Sequence, residues 1–371
     1  MKIIIIGTAY PLRGGIAHFN ALLADHLSKR HQVETITFKR QYPKLLFPGK
    51  SQEETGTIQN VKPAQQLVDS INPLNWYSVA KEISRMHPDL LIFKYWLPFF
   101  GPCFGTIVKQ VKKYTDAKVL YICDNIIPHE HRPGDKLFTK YAFKHADFFI
   151  VQSDAVEKDL MKHFPYAVYR KVPHPVYENF GVALEKEKAR ETLGINAKKV
   201  ILYFGYVRAY KGLNILIEAM SKIDDVQLLA VGEFYDDEKK YREQVKNLGL
   251  ESKIFFVSNY IPNDQVSIYF SAADVIVLPY LSATQSGITQ IAYNFNKPVI
   301  ATDVGGLAEV VINNKTGFIV PPNDPDALAD AIKKFYSGNY EIDFVKNVQM
   351  EKNKYTWDNF ISKIEEMVIA R

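Results

Sequence analysis

The segment from Gly205 to Gly212 combines two glycines and two cations in the pattern G-x-x-R-x-x-K-G. The apolar run Val200–Phe204 before it predicts a buried strand, and Leu213–Ala219 after it predicts a helix. A helix N-terminus offers unpaired N–H groups, Arg208 can grip two phosphate oxygens, and Lys211 adds a mobile charge. The segment therefore predicts a site for a phosphate chain, although a solvated basic turn explains it equally well when taken alone.

Two further turns of this kind follow in the same half of the chain. The predicted strand Ala273–Leu278 ends in the turn Pro279–Ile288, with a helix expected from about Gly287. The predicted strand Lys297–Ala301 ends in Thr302–Gly306. Because ligands of parallel sheets bind outside the carboxyl ends of the strands, three such turns favour one shared binding edge.

These segments resemble those of a retaining glycosyltransferase of the GT-B type, in the large family called glycosyltransferase group 1. The resemblance covers almost the whole chain, and the order and spacing of its pieces make it specific. The matching pieces are the N-terminal glycine loop, the phosphate motif, the late C-terminal signature and the segment after it: Pro11–Ile16, Gly205–Gly212, Lys297–Val311 and Thr316–Pro322. The resemblance implies an α/β fold of two Rossmann-like domains whose parallel sheets face each other across a cleft.

Alternating strand and helix patterns along all 371 residues agree with two α/β domains. The Pro-rich segment Pro173–Tyr177 predicts the boundary. We expect an N-terminal, acceptor-side domain at residues 1–176 and a C-terminal, nucleotide-sugar-binding domain at residues 177–350. Residues 351–371, with a helix at about Trp357–Ala370, are expected to cross back to the first domain, as they do in this family.

The predicted elements follow the apolar runs and the helical periodicity. First-domain strands are expected at Lys2–Ile6, Val33–Phe38, Leu90–Phe93, Val119–Ile122 and Phe148–Val151. First-domain helices are expected at Ile16–Arg30, Trp76–Met86, Phe104–Tyr114, Asp135–His145 and Asp154–His163. In the second domain a helix at Leu184–Leu193 precedes strands at Val200–Phe204, Gln227–Val231, Ile254–Val257, Val275–Leu278, Val299–Ala301 and Phe318–Val320. The polar segment Gln41–Asn75 predicts a long loop with irregular pieces.

By the resemblance, the second domain holds a nucleotide-sugar donor. Arg208 and Lys211 would then bind the diphosphate and stabilise it as the leaving group. Gly14 and Gly15 would approach the same phosphates from the first domain, although a simple turn also explains them. The other donor contacts are expected at Gly205, Glu233, Tyr260, Ile261, Gln285, Ser286, Gly287, Ile288 and Gln290. For Glu233, an exposed loop acid is an equal alternative.

The chain departs from the family around Ser286. The family carries two glutamates there, whereas positions 282–291 of this chain contain no carboxylate. Gln285 and Gln290 stand in that region, and an amide such as that of Gln290 can hydrogen-bond ribose hydroxyls. A neutral group does not stabilise positive charge on the sugar, so the departure puts donor choice and rate in doubt.

Three first-domain side chains are further candidates. Asp124 stands where the family has a sugar-facing histidine and is expected to act on the donor sugar. His129 is a second candidate, with a structural turn residue as the alternative. His18, just after the glycine loop, lies either towards the cleft or partly buried in its helix.

No metal or other cofactor is predicted. Two cysteines are too few for a cluster, and the spacing of His129, Glu130 and His131 matches no usual zinc site. Arg208, Lys211 and helix N-termini are expected to neutralise the diphosphate instead. The first residues predict a buried strand rather than a signal peptide, and no apolar run reaches the ~18 residues of a membrane span, so a cytoplasmic location is the default.

Charge is unevenly distributed along the chain. Residues 1–176 hold 24 of the 46 Lys and Arg but only 15 of the 41 Asp and Glu. This balance favours an acidic partner, such as anionic lipid at the inner face of the cytoplasmic membrane or a phosphate-bearing acceptor, with ordinary surface charge as the alternative. No nucleic-acid motif is present. The apolar segment Trp96–Pro102 has two alternative interpretations: a surface that faces a membrane or lipid chain, or a buried connection after the predicted strand Leu90–Phe93.

The resulting hypothesis is a transferase that moves a sugar from a nucleotide diphosphate sugar to an acceptor hydroxyl with retention. The departing diphosphate would accept the proton of the acceptor, which is lipid-linked in surface polysaccharide or glycolipid assembly. A sugar-nucleotide epimerase of the same fold and a non-catalytic nucleotide-sugar-binding subunit remain as alternatives. Missing carboxylates near Ser286 count against the epimerase, and intact Arg208 and Lys211 count against the subunit.

Overall fold

A computed structural model describes residues 1–43, 51–54, 63–128, 132–338 and 340–369. The described chain divides into two compact units. The first runs from Met1 to Pro175 and also contains the segment that begins at Trp357. The second runs from Val176 to Thr356, rather than to residue 350, so the chain passes between the units at two places.

The first unit is built on a parallel sheet of seven strands. They are β1 (Lys2–Ile6), β2 (Gln32–Arg40), β3 (Gln65–Asp69), β4 (Leu90–Tyr95), β5 (Lys118–Cys123), β6 (Phe148–Val151) and β7 (Tyr169–Lys171). Their order across the sheet is β3-β2-β1-β4-β5-β6-β7. In the central strands β1, β4 and β5, every residue except Lys2 and Lys118 is buried, and these buried residues are apolar apart from Lys94, as suits a parallel sheet covered by helices.

Five helices of the first unit connect these strands. They are α1 (Gly15–Ser28), α2 (Pro73–Arg85), α3 (Gly101–Val111), α4 (Asp135–Phe143) and α5 (Asp154–His163). Before α3, the segment Trp96–Pro102 contributes to the core: Phe100 is fully buried and its ring centroid lies 4.5 Å from that of Trp96. Of the two alternatives for this segment, a lipid-facing surface and a buried connection, the structure therefore shows the buried connection.

The predicted loop Gln41–Asn75 is wrong in its second half. It contains the edge strand β3, whose sequence QQLVD is too polar for the apolar-run criterion. It also contains the start of α2, where the Asn72 side chain accepts hydrogen bonds from the N–H groups of Leu74 and Asn75, and Pro73 opens the helix. The short edge strand β7, with the sequence YRK, escaped prediction for the same reason as β3.

The second unit repeats the architecture with six parallel strands. They are β8 (Val200–Phe204), β9 (Gln227–Val231), β10 (Ile254–Val257), β11 (Val275–Leu278), β12 (Val299–Thr302) and β13 (Gly317–Val320). Their order is β10-β9-β8-β11-β12-β13, the Rossmann order. The helices are α6 (Lys186–Thr192), α7 (Leu213–Met220), α8 (Glu238–Asn247), α9 (Asn263–Ala272), α10 (Gly287–Asn294), α11 (Leu307–Val310), α12 (Pro325–Ser337) and α13 (Tyr340–Glu351).

The last helix, α14 (Trp357–Ile369), packs on α1 within the first unit. Trp357 is buried, and its ring centroid lies 5.2 Å from that of Phe19 and 5.4 Å from that of His26. Glu365 of α14 accepts hydrogen bonds from Arg30 and His31 at 2.9 Å each. The predicted α/β class with two Rossmann-like units is confirmed.

Candidate functional site

The second sheet reverses its strand order between β8 and β11. These strands pair in parallel, with Val275 opposite Ile201, so their carboxyl ends meet at the same edge. β9 and β10 lie on the far side of β8, and β12 and β13 lie on the far side of β11. Such a switch point is the usual ligand position of an open parallel sheet, and both predicted phosphate turns leave from it.

The turns after β8 and β11 touch each other. The Leu281 N–H donates to the Tyr210 carbonyl at 2.7 Å. Gly212 has φ 66°, and a Cβ there would lie 1.9 Å from the Pro279 carbonyl oxygen. Only glycine satisfies both the backbone angle and this approach, so Gly212 fixes one turn against the other.

Arg208 and Lys211 bring positive charge to this edge. The Arg208 guanidinium carbon lies 5.0 Å from the centroid of the Tyr235 ring, and Lys211 Nζ lies 5.5 Å from that of Tyr280. Within the described ranges, neither cation forms an ion pair with a carboxylate. Burial, together with the neighbouring Arg208 guanidinium, lowers the pKa of Lys211 to about 8. Two adjacent cations that pair with no carboxylate of the described residues suit an anion.

The N-terminus of α10 adds hydrogen-bond donors beside these cations. A Cβ on Gly205, which has φ 108°, would lie 3.3 Å from both Lys211 Nζ and the Ile288 side chain. In the part of the chain that the structure describes, no side chain caps the helix at Ser286. The Ser286 hydroxyl instead donates to Tyr280 Oη at 3.5 Å. The structure thus brings Gly205, Arg208, Lys211, Ser286, Gly287 and Ile288 together, and free N–H groups at the helix start suit a phosphate.

The third predicted turn, after β12, packs against the second. The Gly306 N–H donates to the Thr284 carbonyl at 3.0 Å. Gly305 has φ 51°, and a Cβ there would meet the Ala283 carbonyl oxygen at 1.6 Å. This turn therefore packs against the residues that precede α10 and helps to hold them in place.

Glu233 and Gln290 are more enclosed than their sequence context indicates. Glu233 is only 3% exposed, and its carbonyl accepts the Val207 N–H at 2.9 Å, so it is no exposed loop acid. Gln290 is 1% exposed within α10, and its Oε1 has no hydrogen-bond partner among the described residues. Gln285 is half-buried and Ile261 is buried. Their contacts with a donor stay predictions.

Sequence reasoning missed a group of three tyrosines beside Arg208. The centroid of the Tyr206 ring lies 4.6 Å from that of Tyr235 and 6.5 Å from that of Tyr260. Of the three, only Tyr260 is among the predicted donor contacts. The three residues follow the ends of β8, β9 and β10. One aromatic after each of three adjacent parallel strands was the signal that could have revealed the group.

In the first unit, Gly14 is the N-cap of α1 and has φ 109°, a conformation that favours glycine. Gly15 is the first residue of the helix. The preceding loop is held by the segment 51–54. The Arg13 N–H donates to the Gln52 carbonyl at 2.9 Å, and the Glu54 N–H donates to the Pro11 carbonyl at 2.8 Å. Phosphate contacts of the two glycines stay predictions.

His18 is the buried helix histidine of its two alternatives. Its Nδ1 lies 2.5 Å from Tyr10 Oη, and burial lowers its pKa to about 3. It is therefore neutral at physiological pH. Asp124 follows β5 and forms an ion pair with the buried Lys94 of β4. His129, with Glu130 and His131, lies outside the described residues.

Across the described ranges, no group of three or more His, Cys, Asp or Glu side chains is arranged to hold a metal ion. In the same ranges, no helix combines the length and the apolar character that crossing a membrane requires.

Comparison with known proteins relates the second unit to a large enzyme family. A model of the family "Glycosyl transferases group 1" matches residues 185–357. A D-inositol 3-phosphate glycosyltransferase of Corynebacterium urealyticum is 27% identical over 256 residues, which cover 64% of this chain and 60% of that protein. The related Corynebacterium diphtheriae protein is matched over 48% of its length, so the chain spans about half the length of such relatives.

Two other comparisons extend over the whole chain. An uncharacterized glycosyltransferase of Methanocaldococcus jannaschii is 24% identical over 377 residues, 99% of this chain and 97% of that protein. The Anabaena protein HepE, solved in complex with UDP-glucose, superposes with a TM-score of 0.78 at 18% identity over 100% of both chains, which shows a shared fold. Residues 185–357, which make up most of the second unit, therefore match the family of group 1 glycosyl transferases.

Proposed function

We propose that the protein transfers a sugar from a nucleoside diphosphate sugar to an acceptor hydroxyl, with retention of the anomeric configuration. The observation that carries the proposal is the pair Arg208 and Lys211, which lies beside the N-terminus of α10 and pairs with no carboxylate among the described residues. As the bond to the sugar breaks, negative charge grows on the departing diphosphate. Cations and helix N–H groups fixed around it stabilise this change more than they stabilise the bound substrate.

The proton of the acceptor hydroxyl is transferred to the departing diphosphate in this mechanism. The diphosphate oxygen lies on the face of the sugar that the acceptor attacks, so retention needs no separate strong protein base. Neutralisation by Arg208, Lys211 and the start of α10 would serve in place of a divalent metal. HepE is solved with UDP-glucose, which supports a uridine diphosphate hexose as the first donor to test.

For the acceptor we propose a lipid-linked molecule at an anionic membrane surface. Leu74 and Tyr77 of α2 are 81% and 54% exposed, and Leu137 of α4 is 67% exposed. Both helices pack against α3, in one layer of the first unit, and exposed Lys81 and Lys140 accompany the apolar side chains. Apolar insertion with lysines, each contributing about 1 kcal/mol near anionic lipid, fits such a surface.

Vesicle sedimentation tests this acceptor-side proposal. The double variant Leu74→Ser/Leu137→Ser should lose binding to vesicles with anionic lipid. Tyr166→Ser, which removes a 96% exposed aromatic outside these helices, is the matched control and should retain it. Equal binding by wild type and the double variant would contradict the proposed surface.

A donor screen tests the transfer itself. Thermal stability is measured with several nucleoside diphosphates and their sugar derivatives, because a ligand at ~100 times its Kd adds about 2.7 kcal/mol to the free energy of unfolding. Donors that stabilise the protein are then incubated with it without acceptor. Free sugar supports the transferase, an epimerised nucleotide sugar supports the epimerase, and binding without any product supports a non-catalytic subunit.

A further inference from the structure

Arg208 and Lys211, the two cations of the proposed phosphate site, lie against aromatic rings rather than against carboxylates of the described residues. No described residue forms a hydrogen bond or ion pair with the Arg208 guanidinium, although the group lies at the edge where a ligand is expected. An exposed arginine without a partner samples many rotamers, and fixing it on ligand binding costs conformational entropy. The attractive contact that the structure does show is the face of the Tyr235 ring, 5.0 Å from the guanidinium carbon.

The Tyr235 ring is itself firmly placed. The backbone N–H of Tyr235 donates to the Val207 carbonyl at 3.0 Å, which ties Tyr235 to the residue next to Arg208. The Tyr206 ring lies 4.6 Å from the Tyr235 ring and supports it. Lys211 repeats the arrangement, with its Nζ 5.5 Å from the ring of Tyr280, which is buried and approached by the Ser286 hydroxyl.

We propose that Tyr235 and Tyr280 are positioning residues, whose ring faces orient Arg208 and Lys211 for the diphosphate without neutralising them. A carboxylate would orient a cation more strongly but would cancel its charge and compete with the phosphate. A ring attracts a cation through its quadrupole alone and leaves the full charge for the ligand. The inference rests on the proposed function, since it concerns the same diphosphate.

A double-mutant cycle on Arg208 and Tyr235 tests the proposal. The probe is inorganic pyrophosphate, which has no base to stack on the tyrosines, and its Kd is measured by calorimetry. Tyr235→Leu removes the ring and should weaken binding about two- to fivefold, whereas Tyr235→Phe keeps the ring face and should bind as wild type does. In the Arg208→Ala background, Tyr235→Leu should have no further effect, because it acts through Arg208.

Each outcome decides a different point. If Tyr235→Leu weakens binding equally with and without Arg208, or if Tyr235→Phe is as weak as Tyr235→Leu, the ring does not act through the guanidinium and the positioning proposal is wrong. Unchanged affinity of Tyr235→Leu beside a weakened Arg208→Ala overturns the positioning alone. If Arg208→Ala itself binds pyrophosphate as wild type does, the proposed phosphate site fails as well.

Discussion

Lys94 Nζ lies 2.6 Å from Asp124 Oδ1 at the carboxyl edge of the first sheet. Lys94 is 1% exposed, its Nζ lies 3.8 Å above the centre of the Phe19 ring, and it also donates to Gln152 Oε1 at 3.0 Å. Burial lowers the pKa of Lys94, and the Asp124 carboxylate opposes that shift. Asp124 therefore has a structural role as the counter-charge of the buried Lys94, in addition to the proposed role at the donor sugar.

Replacing Asp124 by Asn should destabilise the first unit. The change leaves a buried lysine without its counter-charge, and breaking a buried pair costs on the order of 3 kcal/mol. The double variant Lys94→Met/Asp124→Asn removes both charges and should recover part of this loss in chemical denaturation. If turnover stays low in the double variant while stability recovers, Asp124 acts on the sugar as well; restored turnover would limit it to the structural role.

Removing either cation of the phosphate site should weaken binding of the donor diphosphate. A charge-assisted hydrogen bond contributes roughly 1.5–3 kcal/mol, so Arg208→Ala and Lys211→Ala should each raise the Kd about ten- to a hundredfold. Lys222→Ala is a matched control, since Lys222 lies just beyond the other end of α7 and pairs with Asp326. Full affinity in both single variants would remove these residues from the site.

Gly212 and Gly249 form a matched pair that separates backbone strain from steric contact. Their φ values are 66° and 65°, but a Cβ on Gly249 would meet nothing within 4 Å, whereas one on Gly212 would overlap Pro279. Gly249→Ala should cost about 1–2 kcal/mol of strain and leave nucleotide binding intact. Gly212→Ala should cost more and also weaken binding, because the two turns must separate. Similar stability and affinity for both variants would show that the contact between the turns is unimportant.

Donor binding should weaken as the pH rises through about 8. The pKa of Lys211 is about 8, so the amine is mostly charged below that pH and mostly neutral above it. A bound diphosphate favours the charged form, so affinity should fall up to tenfold per pH unit above about 8. Lys211→Arg keeps its charge and should show a flat profile between about pH 7.5 and 9.5. Parallel profiles for wild type and variant would assign the titration to another group.

Transfer should proceed in the presence of a chelator. In the proposed mechanism, Arg208, Lys211 and the N–H groups at the start of α10 would supply the neutralisation that a divalent ion gives in other sites. The measurement is initial rate with excess EDTA, then with added magnesium or manganese. Activity that disappears with EDTA and returns with either ion would refute the prediction.

The apolar strands and the glycine turns were predictable because their signals are local. The runs of β8 and β11 indicate buried strands, and G-x-x-R-x-x-K-G indicates a turn that presents charge to an anion. The edge strand β3 was not predictable in this way, because its Gln and Asp side chains hide it from an apolar-run criterion. Edge strands need less burial, so their sequences carry less of the pattern.

Residue partners in three dimensions were harder to foresee. Lys94 is the fifth residue of an otherwise apolar strand, and nothing next to it in sequence points to Asp124. The tyrosines that lie against Arg208 and Lys211 come from different strand ends, so their proximity depends on the order of strands in the sheet. Register and strand order arise from the whole fold, which local patterns do not encode.

The return of α14 to α1 affects how the chain matures on the ribosome. Most of the first unit is translated before the second unit, but it lacks α14 until the segment that begins at Trp357 has emerged, so the Phe19 ring has no contact with Trp357 while the second unit is made. During synthesis at about 5–20 residues per second, the nascent first unit spends roughly ten seconds or more with this apolar surface uncovered. Chaperone dependence and sensitivity to premature termination should therefore concentrate on the first unit.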